Sequence, residues 1–297
     1  MAGAGVKLLN KRIRSVKNTQ QITKAMKMVA ASKLQRSQGR MLAARPYSKK
    51  LAELMTELAG KADIAHPLFE VRPIVNRLYL VIASDKGLCG SYNTNVLKLA
   101  EASVQASVDE GVKTQVYAVG RKAAVHFTKR GFTMFGDHSD FGGEANADRG
   151  ATVGNAMVNA FIAGEFDEVR VIYASFVSTM TQKPVDAHLL PIAPDSVAAD
   201  DSEATDDSTG STNLEYIWEP SQEAMFASLL PLYLKNRVFM TLSEAFTSEH
   251  AARMTSMSMA TENAGELIEG LTLQRNRERQ SAITSELLDI VGGSSAL

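Results

Sequence analysis

The 297-residue chain is long enough for one large domain or two smaller ones. Its 45% apolar and 22% charged content is that of a globular protein. A formal net charge of −1 excludes a generally basic nucleic-acid binder, and the single cysteine, Cys89, excludes an internal disulfide or a multi-cysteine metal site.

That near-zero charge is segregated along the chain. Residues 1–50 hold thirteen Lys and Arg and no acid, whereas residues 195–219 hold eight Asp and Glu and no base. No apolar run approaches the roughly 20 residues that span a bilayer, which predicts no direct membrane insertion. The basic N-terminus lacks the apolar core of a secretory signal. It resembles a transit peptide in composition, but its apolar register runs far past a cleavable segment and predicts structure.

The first predicted element is a long helix over residues 1–60. Val6, Leu9, Ile13 and Val16 recur in steps of three and four. The same register passes through Gln20, Thr23 and Lys27 and returns to Ala30, Leu34, Met41, Ala44, Leu51, Met55 and Leu58. Such spacing makes one stripe, the seam of a left-handed coiled coil. Between Gln20 and Lys27 the apolar face swings to Ile22, Met26 and Val29. A helix of about 55 residues is roughly 80 Å long, and Pro46 predicts a bend near Ala43–Arg45.

Residues 74–195 have a different texture. "RLYLVIAS" (Arg77–Ser84), "KTQVYAVG" (Lys113–Gly120) and "EVRVIYASFVST" (Glu168–Thr179) are predicted buried strands. Helical stretches over Asn93–Glu110, Arg121–Arg130 and about Ala147–Gly164 separate them, and proline-containing Pro184–Pro194 predicts an edge strand. Alternating strands and helices imply a mostly parallel sheet covered on both faces. Asp195–Thr212 is then an acidic Ser/Thr/Asp linker, too polar to pack, within a linking segment over 196–220.

The last element, a helix over 221–297, repeats the three-four pattern. Phe239, Phe246, His250, Arg253, Met257, Ala260, Ala264, Leu267 and Leu271 share one register. After a shift, Leu273, Gln280, Ile283, Leu287 and Ile290 continue it until "GGSS" at Gly292–Ser295, a predicted stop. Small residues at Ala260, Ala264 and Gly265 allow close approach of another helix. Ser221–Val291 carries nine acids against six bases, which suits pairing with the basic first helix. The expected fold class is therefore α/β: a Rossmann-like parallel-sheet domain inserted between two long terminal helices that form an antiparallel coiled coil.

Chemistry is sparse. "SDKGLCGSYN" (Ser84–Asn93) is a glycine-containing turn after a strand and before a helix, where phosphates often bind. It lacks both GxGxxG and GxxxxGK[ST] spacing, so its glycines serve the backbone. Cys89 has no histidine near it in sequence to activate it. The histidines at 66, 126, 138, 188 and 250 show no metal-ligand spacing. No catalytic residue, metal site or cofactor is predicted.

The ends are more specific. "NTQQITKAMKMVAASK", "SDKGLCGSYN", "SEHAARMTSMSMATENA" and "RQSAITSELLDIVGGSSAL" resemble, in order and over essentially the whole chain, the gamma subunit of the F-type ATP synthase. The resemblance implies a non-catalytic central rotor shaft of a proton-translocating enzyme, with its coiled coil inside a head of three alpha and three beta subunits. Its α/β domain would stand on the epsilon subunit and the membrane c-ring. The basic segment Asn18–Met41, with Lys24, Lys27, Lys33, Arg36 and Arg40, would then face an acidic lever helix of beta. Flexible lysines and methionines suit contacts that change with rotation; the alternative is a solvated face with coiled-coil filler.

Carried over residue by residue, the resemblance gives Met26 and Lys27 as shaft contacts to beta. It gives Arg253, Arg279, Gln280, Thr284 and Glu286 as a latch on a beta catch loop, and Tyr216, Trp218 and Glu219 as foot contacts to epsilon and the c-ring. A tyrosine is common in the family at the place of Trp218. The cysteine-pair insert of chloroplast relatives is absent, which excludes thiol regulation of that kind. The implied location is peripheral, on the cytoplasmic face of a bacterial inner membrane or the matrix side of a mitochondrial one. Two other classes compete: a nucleic-acid-binding coiled coil, disfavoured by charge and by 6% aromatic content, and a Rossmann-type nucleotide-binding enzyme, which lacks its fingerprint.

Overall fold

A computed structural model describes residues 2–61, 66–192, 219 and 221–294. Helix α1 spans Ala2–Lys61 and runs on through Pro46. The closing helix, α5, spans Gln222–Ser294 and contains Pro231. It is described as far as Ser294, within the Gly292–Ser295 stretch expected to stop it. Glycine weakens a helix by about 1 kcal/mol but leaves its hydrogen bonds available.

The described residues fall into two compact units, one of residues 1–32 with 253–297 and one of residues 33–252. The larger unit is built on a five-stranded sheet. Its strands are β1 (Asn76–Ile82), β2 (Lys113–Val119), β3 (Met134–His138), β4 (Glu168–Phe176) and β5 (Gln182–Leu190). Their order is β3-β2-β1-β4-β5. The first four are mutually parallel and β5 is antiparallel at the edge. Pro184 lies in β5 opposite Ala174, which an edge strand tolerates because one side needs no donors.

Strand β3 has no counterpart in the sequence-based expectation. It is a short, half-buried edge strand containing Gly136 and Asp137, both poor strand formers. A side chain at Gly136 would sit 3.0 Å from the Tyr117 ring, so glycine lets that ring pack closely against β3.

Alternation along β1 divides the core. Leu78, Leu80 and Ile82 face a cluster that includes Val153, Met157 and Phe161 of α4 (Ala147–Ile162). The same cluster takes in Leu51, Met55 and Leu58 of α1 and Phe226, Leu230, Leu234 and Leu242 of α5. Tyr79, Val81 and Ala83 point to the opposite face. There they meet Val96, Ala100 and Val104 of α2 (Tyr92–Asp109) and Phe127 of α3 (Arg121–Lys129). Parts of both long helices are thus sheet-covering helices in this unit.

A charged cluster closes one end of the sheet. Glu168, almost fully buried, accepts from Arg77 Nε at 2.5 Å and from Arg170 Nη1 at 3.3 Å. Arg170 Nε also donates to Asp186 at 2.8 Å. The His188 ring lies 3.7 Å from Glu168. Its pKa is nevertheless lowered: burial outweighs the Glu168 carboxylate, and Arg170, Arg237 and Arg77 push in the same direction as burial. His66, whose Nδ1 accepts from Leu68 N, is also lowered by burial.

Both rings are therefore held neutral by folding. The unfolded chain takes up these protons at a higher pH than the folded one, so their stabilisation is complete above about pH 6.5 and is lost as pH falls through the depressed folded values. Urea unfolding should show a falling midpoint on acidification below about pH 6.5, with a shallower fall in His188→Gln. Equal pH dependence in parent and variant would contradict the assignment.

Candidate functional site

The smaller unit is an antiparallel helix pair. Gly5 of α1 lies opposite Glu278 of α5, and Gln20 lies opposite Gly265. Lys27 Nζ donates to Ser258 Oγ at 2.9 Å. Leu9, Ile13 and Ala30 on α1, with Met257 and Ala264 on α5, are the buried seam residues of this unit.

Polar residues interrupt that seam where the apolar stripe swings. Gln20 Nε2 donates to Thr261 O at 3.3 Å, and Thr261 Oγ1 pairs with Thr23 Oγ1 at 2.8 Å. A polar layer inside a helix pair favours the register in which its members meet. Lys27 is exposed and half-buried Met26 turns inward instead. Met26 thus follows the expected swing of the apolar face, as a 3.6-residue turn drifts against the three-four repeat, but Ile22 and Val29, expected beside it, are exposed.

Besides Lys27, two more members of the basic segment are engaged inside the chain. Lys33 Nζ donates to Gly142 O at 2.9 Å, and Arg40 lies 3.5 Å from Glu144. Ser37 pairs with Thr247 at 2.7 Å in the larger unit. Lys24, Lys27, Arg36 and Arg40 are exposed.

The turn Ser84–Asn93 does not present an empty phosphate cradle. The Asp85 carboxylate at its start reaches across to α3 and to the loop after β3. Its Oδ1 accepts from Arg121 N at 3.1 Å, at the start of α3, and from Asp140 N at 3.1 Å; its Oδ2 accepts from Gly142 N at 3.0 Å. Ser84 N and Oγ both donate to Asn93 Oδ1, at 3.0 and 2.9 Å. Gly120, at φ +90°, has no room for a side chain, since a Cβ would lie 2.1 Å from Ala83 O. Cys89 is fully buried and accepts from Asn93 Nδ2 at 3.1 Å, which removes it from solvent-borne reactants.

The histidines have structural contacts too. His126 meets Glu101 at 3.2 Å, His138 packs on Phe141, and His250 bonds to Gly143 O at 2.8 Å. In the larger unit a cavity of about 500 Å³ is lined by Arg45, Lys49, Tyr173, Ser175, Arg237 and Glu244, among others. Glu244 is committed there to Tyr173 OH, Ser175 Oγ and Phe176 N, at 3.1, 2.6 and 3.0 Å. No group of three His, Cys, Asp or Glu among the described residues is placed to hold a metal.

The sequence profile of the ATP synthase family matches residues 5–297. The ATP synthase gamma chain of Desulfitobacterium hafniense is 43% identical over 303 residues, which cover 99% of each chain. This chain belongs to the ATP synthase gamma-chain family. The gamma chain of Desulforamulus reducens is 41% identical, again over 99% of each.

Solved structures carry the same fold. One chain of the Euglena gracilis mitochondrial ATP synthase in rotational state 3 matches with a TM-score of 0.68 at 22% identity, covering 99% of this chain and 95% of that one. One from the Tetrahymena thermophila mitochondrial ATP synthase central stalk and c-ring matches with a TM-score of 0.58 at 25% identity, covering 80% and 99%. No helix among the described residues is long and apolar enough to cross a membrane.

The family-derived shaft residues form two groups on the helix pair. Met26, Lys27 and half-buried Arg253 lie towards one end. Arg279, Gln280, Thr284 and Glu286 are exposed on α5, with Gln280 about 40 Å further along the helix than Arg253. Gln280 is on the surface, not in a seam: with Gly5 opposite Glu278, α1 is nearly spent at that level. Beyond it, Ile283, Leu287, Leu288, Ile290 and Val291 are roughly half to two-thirds exposed. Of the foot residues, Glu219 is exposed. Tyr216 and Trp218 lie outside the described residues, as does the acidic stretch 195–212.

Sequence reasoning missed Asp85 and its partners at Asp140 and Gly142. The "FGG" after Asp140 was the available signal, since consecutive glycines mark a backbone that offers N–H groups in unusual directions. For the polar layer, a double-mutant cycle of Thr23→Val and Thr261→Val, read by urea unfolding, should give a coupling of about 0.5–1.5 kcal/mol. Additive single variants would show that the two hydroxyls do not work as a pair.

Proposed function

We propose that this chain is the central rotor shaft of a proton-translocating F-type ATP synthase, a subunit without an active site of its own. It couples rotation of a membrane c-ring to the conformational cycling of the beta catalytic sites. The observation that carries this reading is the far end of α5. There exposed Ile283, Leu287, Leu288, Ile290 and Val291 alternate with polar Gln280, Thr284 and Glu286 on a helix that α1 no longer covers. Such an apolar end calls for an enclosing protein partner, and the alpha and beta subunits of the head supply one.

The assigned contacts follow the same logic. Met26 and Lys27 meet beta through a deformable thioether and a point charge, both compatible with partners that alternate during a turn. Arg253 and, about 40 Å away, Arg279, Gln280, Thr284 and Glu286 engage beta at two heights along the shaft. They therefore act on separate loops or separate subunits. Tyr216, Trp218 and Glu219 are the foot contacts to epsilon and the c-ring. The bacterial relatives support a peripheral place on the cytoplasmic face of the inner membrane, without a membrane span in this chain and without nucleic acid as a partner.

Co-purification with alpha and beta subunits in an ATP-hydrolysing complex tests the reading, and recovery of the chain alone would overturn it. Within such a complex, Gln280→Leu keeps bulk and helix propensity while removing one neutral hydrogen bond of about 0.5–1.5 kcal/mol. ATP turnover should fall several-fold, and further for Arg253→Leu, whose bond is charge-assisted. Circular dichroism should show unchanged helicity in both. Normal turnover in both variants would leave these residues as passive surface groups.

A further inference from the structure

The Asp85 carboxylate fastens a loop that in turn holds both long helices. Within the larger unit, the stretch Ser139–Ala145 joins β3 to α4 and has an unusual backbone. Asp140, Gly142 and Gly143 have φ values of 66, 64 and 74°. Asp85 takes the N–H groups of Asp140 and Gly142, and its third bond is to Arg121 N at the start of α3. Arg121 also reaches Asp140 Oδ1 at 2.9 Å.

The carbonyls of the same loop face the other way. Gly142 O accepts from Lys33 Nζ of α1 at 2.9 Å, and Gly143 O bonds to buried His250 of α5 at 2.8 Å. Phe141 packs on Phe246 of α5 with ring centroids 5.6 Å apart, and Arg149 of α4 lies over its other side while bonding the carbonyls of Phe141 and Glu144. A cleft of about 10 Å³ remains where Lys33, Arg36, Ser37 and Arg40 meet Gly143, Glu144 and Ala145, little more than one water. The fit at Gly143 is tight: a Cβ there would lie 2.7 Å from the His250 ring.

We propose that Asp85 is a torque-bearing positioning residue: through the Ser139–Ala145 loop it locks the α/β sheet to the stretches of α1 and α5 packed in the larger unit, so that this unit turns as one body. The inference rests on the rotor reading above. Gly142 is the pivot, because its N–H is fixed by the sheet side and its C=O by α1. One peptide step further, Gly143 carries the bond to α5. An anion is required at residue 85 because three backbone donors converge on it, and a carboxylate can accept all three while a neutral amide cannot.

The test uses membranes carrying the complete enzyme, scored as protons pumped per ATP hydrolysed. Asp85→Asn keeps the shape but turns a donor towards one of the three backbone N–H groups. It should lower that ratio by at least about twofold, as expected for weakening bonds to a charged acceptor, with the amount of membrane-bound chain unchanged. Lys33→Met, which cuts only the α1 arm, should lower the ratio less.

A purely structural role would reduce the amount assembled and leave the ratio of the remaining enzyme at the parental value. A parental ratio in assembled Asp85→Asn overturns the proposal; if that variant does not assemble, a parental ratio in Lys33→Met overturns it. Membranes reconstituted without the chain separate the two levels. Parental pumping there would remove the rotor reading itself, whereas pumping that needs the chain but ignores both variants would remove only the role of Asp85.

Discussion

A helix of 73 residues has no interior of its own, and its apolar stripe must be covered by something else in the chain. That constraint organises the whole molecule. In the smaller unit α1 covers α5 along Leu9, Ile13 and Ala30. In the larger unit one face of the sheet covers it, with Phe226, Leu230, Leu234, Val238, Leu242 and Phe246 in the same core as Leu78, Leu80 and Ile82. Past Glu278 exposed leucines, isoleucines and a valine follow closely on one another, whereas earlier on α5 exposed leucines occur singly, at Leu232, Leu267 and Leu273. A run of bare apolar residues at one end marks where an outside partner belongs.

The second organising element is electrostatic. A parallel sheet with helices on both faces normally offers ligands a crevice at the carboxyl ends of its strands, where backbone N–H groups collect. Here Asp85 lies at that position, and three of those N–H groups point at its carboxylate. An internal carboxylate is always present and cannot dissociate, which suits a joint under load better than a ligand would.

Much of this was legible in the sequence. Apolar steps of three and four located both long helices, and the continuous Val/Ile/Leu runs located β1, β2 and β4, because burial on both faces leaves an unbroken apolar stretch. Strand β3 was illegible because its Gly136 answers to Tyr117 on a neighbouring strand, a contact no local pattern encodes. The expected swing of the apolar face at Gln20–Lys27 holds for half-buried Met26 but not for Ile22 and Val29, which are exposed because polar Gln20 and Thr23 face α5 there. Gln280 was placed in a seam, but a register says nothing about where the opposing helix runs out. Asp85 escaped notice because its meaning depends on residues 36 to 57 positions away. Met26, Arg253 and Gln280 are read as contacts from the resemblance, since a helix residue that meets an outside partner carries no local pattern of its own in the sequence.

The account stands or falls on whether this chain turns. Replacing Cys89 by Ser and exposed Val177 by Cys would give a single attachment point at the end of β4, in the larger unit. A bead fixed there, on an enzyme immobilised through its head, can be watched under a microscope while ATP is supplied. The account predicts unidirectional rotation of the bead that stops when ATP is removed. A stationary bead on complexes that continue to hydrolyse ATP would contradict it.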